Sequence, residues 1–348
     1  MQRQVKLRGP LLDKNGELID KGYAKSLVKD YDRKAIKAKK HRIKEWDYYL
    51  IYDDNYAVAL TIDDNSYMGL VSVSLIDFKN KREKTISPMQ WLTFGKRNFP
   101  SSSVDGDVIY DNKKKNKRVK VAFYNKNGKR SLEVIFNKFH NKETFTCFVE
   151  LTEEPRDSMV IITPFKEDKK AFYYNQKIVG FKVDGFFKLG DFKYRFEKEE
   201  TRGILDWGRG VWTYKNTWYW GAGTRKVDGH EVGFNIGYGF GDTSRASENV
   251  IFYDGKLHKL DQVSFNIPQD EKGNYLYTNP WTFTSNDKRF EMEFKPIINR
   301  ASKTDVGIIC SDQNQIFGLF SGTMILDDGT KVEIKDFLGF AERVFNKW

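Results

Sequence analysis

Tight-turn dipeptides between alternating apolar and polar segments are the feature that most constrains the fold of this chain. Asn-Gly or Asp-Gly pairs stand inside three such segments, at Asn127-Gly128, Asp254-Gly255 and Asp328-Gly329. These pairs readily adopt the left-handed backbone of a two-residue hairpin, and alternation with a period of two places side chains on opposite faces of a strand. The pattern therefore predicts antiparallel β-structure through most of the chain.

Strand density and chain length together predict two β-domains. A length of 348 residues favours two domains over one. Short strands are predicted on both sides of residue 175, and helical periodicity is nearly absent. The expected fold class is all-β, with antiparallel barrel or sandwich halves at 1–175 and 176–348. A short C-terminal helix is the exception, predicted from the helical spacing of Phe337, Phe340, Val344 and Phe345.

The positive charge is confined to the first half of the chain. The net charge is +11, and residues 1–175 contain 35 Lys and Arg against 24 Asp and Glu, whereas residues 176–348 contain 24 of each kind. Most of the excess lies in two basic segments, 33–44 and 113–120. Such segments bind nucleic acid or anionic lipid, or they simply keep a surface solvated. Neither has the glycine and aromatic spacing of an RNA-binding strand, so the sequence favours a solvated surface, disfavours nucleic acid and leaves peripheral membrane contact open.

Several classes of protein are disfavoured by what the sequence lacks. It has no apolar run long enough to span a membrane and no apolar segment typical of a secretory signal. The four histidines stand at no metal-ligand spacing, so neither a metal site nor a cofactor is predicted. Motifs for a nucleophile elbow, a phosphate loop and a dinucleotide fold are also missing. Cys147 and Cys310 suit buried thiols in a reducing compartment, which makes the cytoplasm the expected location.

Half of the eight tryptophans lie in one stretch, ILDWGRGVWTYKNTWYWGAG, at residues 204–223. They are Trp207, Trp212, Trp218 and Trp220. Asp206 and Arg209 lie among them, and the neighbouring glycines allow the two side chains to meet as an ion pair. One interpretation is structural, with Arg209 stacked on an indole and the pair fixing a loop. The other is functional, with burial raising the pKa of Asp206 so that it acts as an acid or base beside Arg209.

A glycine-rich stretch at residues 229–249 carries a dense group of polar residues. Alternate glycines leave one face of a strand bare, so that a ligand or another segment can approach the backbone closely. The predicted functional members are Asn235, Asp242, Glu248 and Asn249. They form either the polar rim of a pocket walled by the tryptophans or a bulged corner with capped turns.

The segment at residues 90–110 combines aromatic residues with the cations Lys96 and Arg97, followed by a proline and three serines. One interpretation is a lid that carries cations to an anionic ligand. The other, which the sequence favours, is a plain loop between strands.

Several long motifs, in a constant order, resemble those of one bacterial family. They are FPSSSVDGDV, FYYNQKI, LDWGRGVW followed by WYWG, GFNIGYGFGDTS, FYDGKLHKLD and the C-terminal FLGFAERVFNKW. From about residue 8 to its end, the chain resembles the family named domain of unknown function 2804. That family is distantly similar to lipocalin-like double-barrel proteins such as carotenoid hydratases and tocopherol cyclase, which implies two lipocalin-like halves. The resemblance brings neither an activity nor catalytic residues, since a fold alone does not determine function.

The leading hypothesis is a lipocalin-like protein that binds a small, largely apolar molecule in an aromatic-lined pocket. The pocket is expected in the second half or between the halves. Ligand contacts are expected from the four tryptophans together with Asn235, Asp242 and Asn249.

Two alternatives come from other classes of protein. One is a cofactor-free isomerase, hydratase or cyclase acting on an apolar substrate, with Asp206 or Glu248 as the acid and Arg209 stabilising negative charge. The other is a protein that associates with an anionic membrane or with nucleic acid through its basic first half.

Overall fold

The structure, a computed structural model, describes residues 2–114, 116–305 and 310–347. Strands account for nearly all of its regular structure, which confirms the predicted all-β fold class. In the first part of the chain they are β1 (Gly9–Pro10), β2 (Gly22–Ala24), β3 (Lys29–Asp30), β4 (Ile43–Tyr52), β5 (Tyr56–Asp64), β6 (Met68–Asp77), β7 (Arg82–Ile86), β8 (Met89–Trp91), β9 (Val108–Asp111), β10 (Val119–Lys126), β11 (Lys129–His140), β12 (Glu143–Thr152), β13 (Met159–Pro164), β14 (Phe172–Leu189), β15 (Phe192–Phe196) and β16 (Arg202–Val211). Those that follow are β17 (Lys215–Val227), β18 (His230–Tyr238), β19 (Val250–Tyr253), β20 (Lys256–Lys259), β21 (Val263–Asn266), β22 (Trp281–Ser285), β23 (Phe290–Asp305), β24 (Cys310–Ile325) and β25 (Lys331–Lys347).

The first large sheet follows the order β7-β6-β5-β4-β16-β14-β12-β11-β10-β9, and its neighbouring strands are antiparallel. Alternation along its strands matches the predicted period of two. In β12, for example, Phe145, Cys147, Val149 and Leu151 are buried while the residues between them are exposed or half-buried. Two short 3₁₀ turns, Arg33–Ala35 and Lys40–Arg42, precede β4.

The second large sheet follows the order β20-β19-β18-β17-β25-β24-β23-β22-β21, again with antiparallel neighbours. The predicted tight turns are confirmed, because Asn127-Gly128 joins β10 to β11, Asp254-Gly255 joins β19 to β20, and Asp328-Gly329 lies between β24 and β25. The chain passes from the first sheet to the second between Val211 and Lys215. Residue 175, the expected domain boundary, lies within β14.

The predicted C-terminal helix is wrong, since these residues form β25. Phe337 and Phe340 are both fully buried although they lie on opposite faces of the strand. Phe337 packs in the core of the second sheet, whereas Phe340 packs with residues of the first sheet. A strand buried on both faces loses its polar alternation, and its apolar residues then imitate helical spacing.

Each sheet has a hydrophobic core of its own. The second sheet buries an aromatic cluster that includes Phe234, Phe283, Phe294 and Phe320, with neighbouring ring centroids 4.4–6.0 Å apart. The first sheet buries a larger cluster, which extends to Phe340 and so reaches the second sheet. The larger cluster therefore packs the two sheets against each other.

Candidate functional site

A cavity of about 180 Å³ lies between the two large sheets. One wall comes from β4, β5, β14 and β16, and the opposite wall comes from β17, β23, β24 and β25. Trp212 and Phe240, from the segments that follow β16 and β18, complete the lining. Both halves of the chain therefore build this candidate site.

The first wall consists of cross-strand rows that face the cavity together. Directly paired residues of antiparallel strands share a face of the sheet, and every second residue returns to that face. From β4 through β16 to β14, the rows are Tyr48–Asp206–Lys177, Trp46–Gly208–Asn175 and Lys44–Gly210–Tyr173. Strand β5 adds Thr61 and Asp63 beside the first two rows.

Glycine is needed in the middle row because of the Trp46 indole. A Cβ atom at Gly208 would collide with the six-membered ring of Trp46. The glycine therefore lets the indole lie over β16, where it forms part of the cavity wall.

The second wall is built in the same way. Its main row crosses four strands, from Trp220 on β17 through Glu342 and Gln315 to Arg300 on β23. A neighbouring row contains Trp218, Val344 and Gln313. Strand order places the tryptophans of this wall opposite β14 and Arg300 near β6. Arg300 Nη1 donates to Ser74 Oγ on β6 at 3.1 Å.

One side of the cavity is aromatic. The Trp212 ring lies 5.3 Å from Trp218 and 5.7 Å from Trp46, nearly perpendicular to both. Phe240 stacks on Tyr173 with centroids 4.7 Å apart and lies 5.8 Å from Trp218. These edge and stacked contacts hold the rings in fixed orientations around the space.

An ion pair crosses the first wall. Lys177 Nζ lies 2.8 Å from Asp206 Oδ1, and both residues are buried. Asn175 Nδ2 donates to the same oxygen at 2.5 Å. The Lys177 ammonium also lies 4.0 Å from the centre of the Trp220 ring, which links the two walls by a cation–π contact.

Glu342 is the carboxyl of the second wall. Its Oε1 accepts from Trp218 Nε1 at 3.1 Å and its Oε2 accepts from Gln315 Nε2 at 3.0 Å. Burial raises the pKa of Glu342 to about 7, although the hydrogen bond from Trp218 and the charges of Arg300 and Lys177 act in the opposite direction. The group can therefore gain or lose a proton near neutral pH.

Two further groups at the β4 and β5 side change charge in the same range. Burial lowers the pKa of Lys44 to about 7 and raises the pKa of Asp63 to about 7. Lys44 Nζ donates to the Asn65 carbonyl at 3.1 Å and lies 4.2 Å from the Tyr67 ring. This side of the cavity is polar, in contrast to the aromatic side.

Several buried polar atoms of the lining residues have no hydrogen-bond partner among the residues that the structure describes. They are Tyr173 Oη, Trp212 Nε1, Gln315 Oε1 and both side-chain atoms of Asn346. An unpaired buried polar group costs free energy, so atoms of this kind around a cavity point to a polar molecule or to water inside it.

The predicted ion pair between Asp206 and Arg209 is wrong. Both residues lie on the regular strand β16, and a separation of three places their side chains on opposite faces. Arg209 Nη1 donates to Asp47 Oδ1 at 2.9 Å, and its guanidinium lies 4.2 Å from the centre of the Trp207 ring. Arg209 and Trp207 are fully buried on one face of β16, with Trp207 in the hydrophobic core of the first sheet, whereas Asp206 faces the cavity.

The polar residues predicted from the glycine-rich stretch at residues 229–249 do not form one rim. Asn235 does not line the cavity; it lies on β18, on the same face of the second sheet as Trp220, and accepts a hydrogen bond from Trp220 Nε1 at 2.8 Å. Asn249 supports the backbone by accepting from the Gly237 amide at 2.7 Å. Asp242 lines a separate surface depression, 4.0 Å from Lys166.

Glu248 is buried beside the cavity but does not line it. Burial raises its pKa to about 7, against the effect of the Lys177 charge. Its carboxyl oxygens have no hydrogen-bond partner among the described residues.

Most of the polar lining was not predicted from the sequence. The missed residues are Lys44, Asp63, Lys177, Arg300, Gln315 and Glu342. A signal for one of them was present, because Lys177 is the single charge within the segment FYYNQKIVGF, whereas Glu342 in LGFAERVF is followed by Arg343. A lone charge inside a strand-forming apolar run is rarely solvated, and therefore marks a buried polar site.

The described residues contain no group of three or more His, Cys, Asp or Glu arranged to hold a metal ion. They also contain no helix that is long and apolar enough to cross a membrane.

A family model described as a domain of unknown function, DUF2804, matches residues 2–348. The chain belongs to the DUF2804 family. The resemblance predicted from the motifs is thus confirmed over the whole chain. Comparison with curated protein sequences gave no match.

Solved structures place this DUF2804 protein in a known fold. A candidate AttH protein from Nitrosomonas europaea is similar with a TM-score of 0.53 at 11% identity, covering 92% of this chain and 98% of that chain. Kievitone hydratase from Nectria haematococca gives a TM-score of 0.44 at 10% identity, covering 88% of each chain. CghA with Sch210972 gives 0.43 at 10% identity, covering 97% of each chain. The likeness to the AttH protein confirms the lipocalin-like double-barrel fold, and at this identity it extends to the fold alone.

Proposed function

We propose that this protein binds a small molecule, with a flat apolar body and at least one polar group, in the cavity between its two sheets. The observation that carries the proposal is the combination of aromatic walls and unpartnered buried polar atoms around the same space. Concave sites with apolar walls and a few converging polar groups are the usual sites of small-molecule binding.

The volume limits the size of the ligand. A cavity of about 180 Å³ suits one ring-sized group, since an engineered apolar cavity of about 150 Å³ holds benzene. The aromatic side formed by Trp212, Trp218 and Phe240 offers faces and edges for such a ring.

The polar part of the ligand would lie toward the main row of the second wall. In that row, Gln315 Oε1 accepts a hydrogen bond and Arg300 supplies a positive charge. The Asn346 amide, two rows away on β25, both donates and accepts. A hydroxyl group on the ring can donate to Gln315 Oε1, whereas a carbonyl or carboxylate group can accept from Arg300 or from the Asn346 amide.

Native mass spectrometry of the purified protein, with a solvent extract of the same sample, tests the proposal. We expect a small ring compound on the wild type and its loss from Val344→Trp, which fills the cavity without removing a hydrogen bond. The matched control is Trp281→Phe in the core of the second sheet, which should retain the compound. Equal retention by Val344→Trp, or a wild type that neither carries a compound nor gains thermal stability from any ring compound screened, contradicts the proposal.

One observation favours a second candidate, a cofactor-free enzyme that transfers a proton to an apolar substrate. Glu342 is a cavity-lining carboxyl whose pKa is near neutral, so it can hold the proton that such a reaction needs. The proton would pass from a Glu342 oxygen to the substrate. Hydrogen bonds from Trp218 and Gln315 would then stabilise the carboxylate that remains.

This candidate replaces the acids expected from the sequence. Asp206 is held by Lys177 in an ion pair, and Glu248 does not line the cavity. Addition of water with transfer of one of its protons back to the Glu342 carboxylate would complete a hydration. Transfer of a different substrate proton back to Glu342 would complete an isomerisation.

Deuterium incorporation into the extracted compound in D₂O distinguishes an enzyme from a simple binding protein. The wild type should incorporate deuterium, and Glu342→Gln should bind the compound without incorporation. Glu248→Gln is the matched control, because its carboxyl has a similarly raised pKa outside the lining. Incorporation by Glu342→Gln, or its loss only in Glu248→Gln, would exclude Glu342 as the acid.

A further inference from the structure

A short segment at the edge of the first sheet presents large apolar side chains to solvent. In β8 and the residues after it, Met89 is 55% exposed, Trp91 65%, Leu92 58% and Phe94 42%. Four such side chains within six residues form a patch of a kind that soluble surfaces usually reserve for contact with a partner or a membrane. We call residues 89–94 the apolar loop.

The backbone of the apolar loop is held firmly in place. The Leu92 amide donates to the Tyr67 carbonyl at 2.8 Å, and the Phe94 amide donates to the Ser66 carbonyl at 2.9 Å. Leu92 and Phe94 have φ angles of 59° and 43°, in the left-handed region that bulky residues rarely occupy. The strained backbone, fixed by these hydrogen bonds, keeps the side chains of the loop in solvent. Without it, they could fold back onto the sheet and become buried.

The basic segment at residues 33–44 lies directly beside the apolar loop. A Cβ atom at Gly95 would lie 2.6 Å from Arg33 Nε, and Arg33 Nη2 donates to Ser66 Oγ at 3.4 Å. The segment contains no carboxylate. Its exposed side chains are Lys34, Lys37, Lys39, Lys40 and His41.

The same corner of the fold reaches the polar side of the cavity. Asn65, whose carbonyl accepts from Lys44, belongs to the turn between β5 and β6 that anchors the apolar loop. Thr93 Oγ1 and the Gly95 amide both donate to Asp64 in this turn, each at 2.8 Å. The apolar loop and the cavity are thus separated by one turn of the chain.

We propose that the apolar loop and the basic segment together dock this protein on an anionic phospholipid bilayer. Exposed apolar side chains beside exposed lysines match the two layers of a bilayer surface, its acyl region and its charged headgroups. Trp91 suits the interfacial region, Leu92 and Met89 enter the acyl boundary, and the lysines contact phosphate headgroups.

A bilayer fits this surface better than nucleic acid does. Binding of single strands relies on aromatic faces stacked on bases along a basic groove. Aliphatic side chains such as Leu92 and Met89 gain nothing from that arrangement, whereas they lose unfavourable contact with water on entering lipid. Docking would also bring the cavity close to the bilayer, so that an apolar ligand could pass between them; this step rests on the proposed function.

Vesicle flotation of the full chain tests the docking. Vesicles are made of phosphatidylcholine alone or mixed equally with phosphatidylglycerol, at low and at physiological salt. The wild type should float with the anionic vesicles and much less with neutral ones. High salt should weaken binding only in part, because the apolar contribution is not screened.

Two variants separate the contributions of the two segments. Trp91→Ala combined with Leu92→Ser should lower vesicle affinity about tenfold or more, since it removes the apolar insertion. Lys34, Lys37 and Lys40 changed together to Glu should also lower it at least about tenfold on anionic vesicles, and should barely change the residual binding to neutral ones.

Matched controls make the same kinds of substitution at exposed positions outside the apolar loop and the basic segment. Phe148→Ser removes an apolar side chain of 40% exposure from β12. Lys126, Lys129 and Lys142 changed together to Glu produce the same change in net charge on other exposed turns. Both controls should float like the wild type.

Three results would overturn the docking proposal. They are a wild type that does not float, controls that lose as much binding as the loop and segment variants, and a wild type that duplex DNA displaces from the vesicles while the loop variant binds DNA normally. The assay contains vesicles alone and needs no ligand. Flotation by Val344→Trp would thus support docking even if the proposed ligand binding failed.

Discussion

Strand β16 separates two regions of opposite character. On one face, Arg209 and Trp207 are fully buried, and the guanidinium donates to Asp47 and to the carbonyls of Trp46, Gly208 and Pro100. On the other face, Asp206 looks into a cavity lined by rings and polar groups. Charged residues occur on both faces, so a buried charge by itself does not identify a functional site.

The difference lies in how completely the charges are satisfied. Arg209 is fully buried, and its guanidinium donates to Asp47 and to three backbone carbonyls, so fixed protein acceptors hold the charge. Around the cavity, Tyr173, Gln315 and Asn346 have atoms without a protein partner, and Glu342 has a pKa near neutral. Unsatisfied polar atoms next to space, rather than buried charge, are therefore the mark of the candidate site.

The largest expected effect on stability comes from the face of β16 that carries Arg209. Arg209→Leu leaves Asp47 as an unpaired buried charge, which should cost about 3–5 kcal/mol of unfolding free energy. Urea denaturation measures the loss. Adding Asp47→Leu should recover part of it, and a single variant as stable as the wild type would mean that the core pair is not structural.

The pH dependence of stability tests the cavity face. In the unfolded chain Glu342 loses its proton near 4.5, whereas in the folded protein burial holds it up to about pH 7. Between these values the folded state binds more protons, so stability falls as the pH rises through this window. Glu342→Gln should match the wild type near pH 4 and be more stable at pH 8, by up to about 3 kcal/mol.

Glu333 provides a control of opposite sign on the same strand. The hydrogen bond from Lys331 lowers the pKa of Glu333, so its ionised form stabilises the fold at higher pH. Glu333→Gln should therefore show no gain at pH 8. A Glu342→Gln curve parallel to that of the wild type across pH 4–8 would contradict the raised pKa.

A third prediction concerns the space between the sheets. Gly208→Ala places a Cβ atom against Trp46 and must push the indole into the cavity, at a cost of about 1–3 kcal/mol. The compound found by native mass spectrometry should then be lost. Gly203→Ala on the same strand, where the nearest atom would be a Val183 methyl group at 3.1 Å, should cost less and keep the compound.

The smallest expected effect is that of Asp206→Asn. The amide keeps the shape of the side chain, and the charges of Glu248 and Glu342 remain near Lys177. The unfolding free energy should therefore fall by only about 1 kcal/mol. The charge of Asp206 raises the pKa of Glu342, and its removal should lower that pKa. A loss as large as that of Arg209→Leu would remove the contrast between the two faces.

Local patterns predicted the strands well and the side-chain partners poorly. The turn at Asn127-Gly128 and the alternation of β12 follow from residues close in sequence, and both are present in the structure. Asp206 and Arg209 are also close in sequence, yet their partners are Lys177 and Asp47 on the two neighbouring strands. Proximity along a strand is a poor guide to contact, because successive side chains alternate between faces.

By itself, the sequence determined the all-β class, the hairpin turns, the family and the aromatic stretch that supplies Trp212, Trp218 and Trp220 to the cavity. Turn preferences and a period of two act over a few residues, so they can be recognised without knowledge of the fold. Only the tertiary structure decided that β25 is a strand and that Trp207 is buried in a core. It also decided that Lys177 and Glu342 lie on opposite walls of one cavity. Those outcomes depend on which sheets pack together, and packing is set by burial of surfaces from distant parts of the chain.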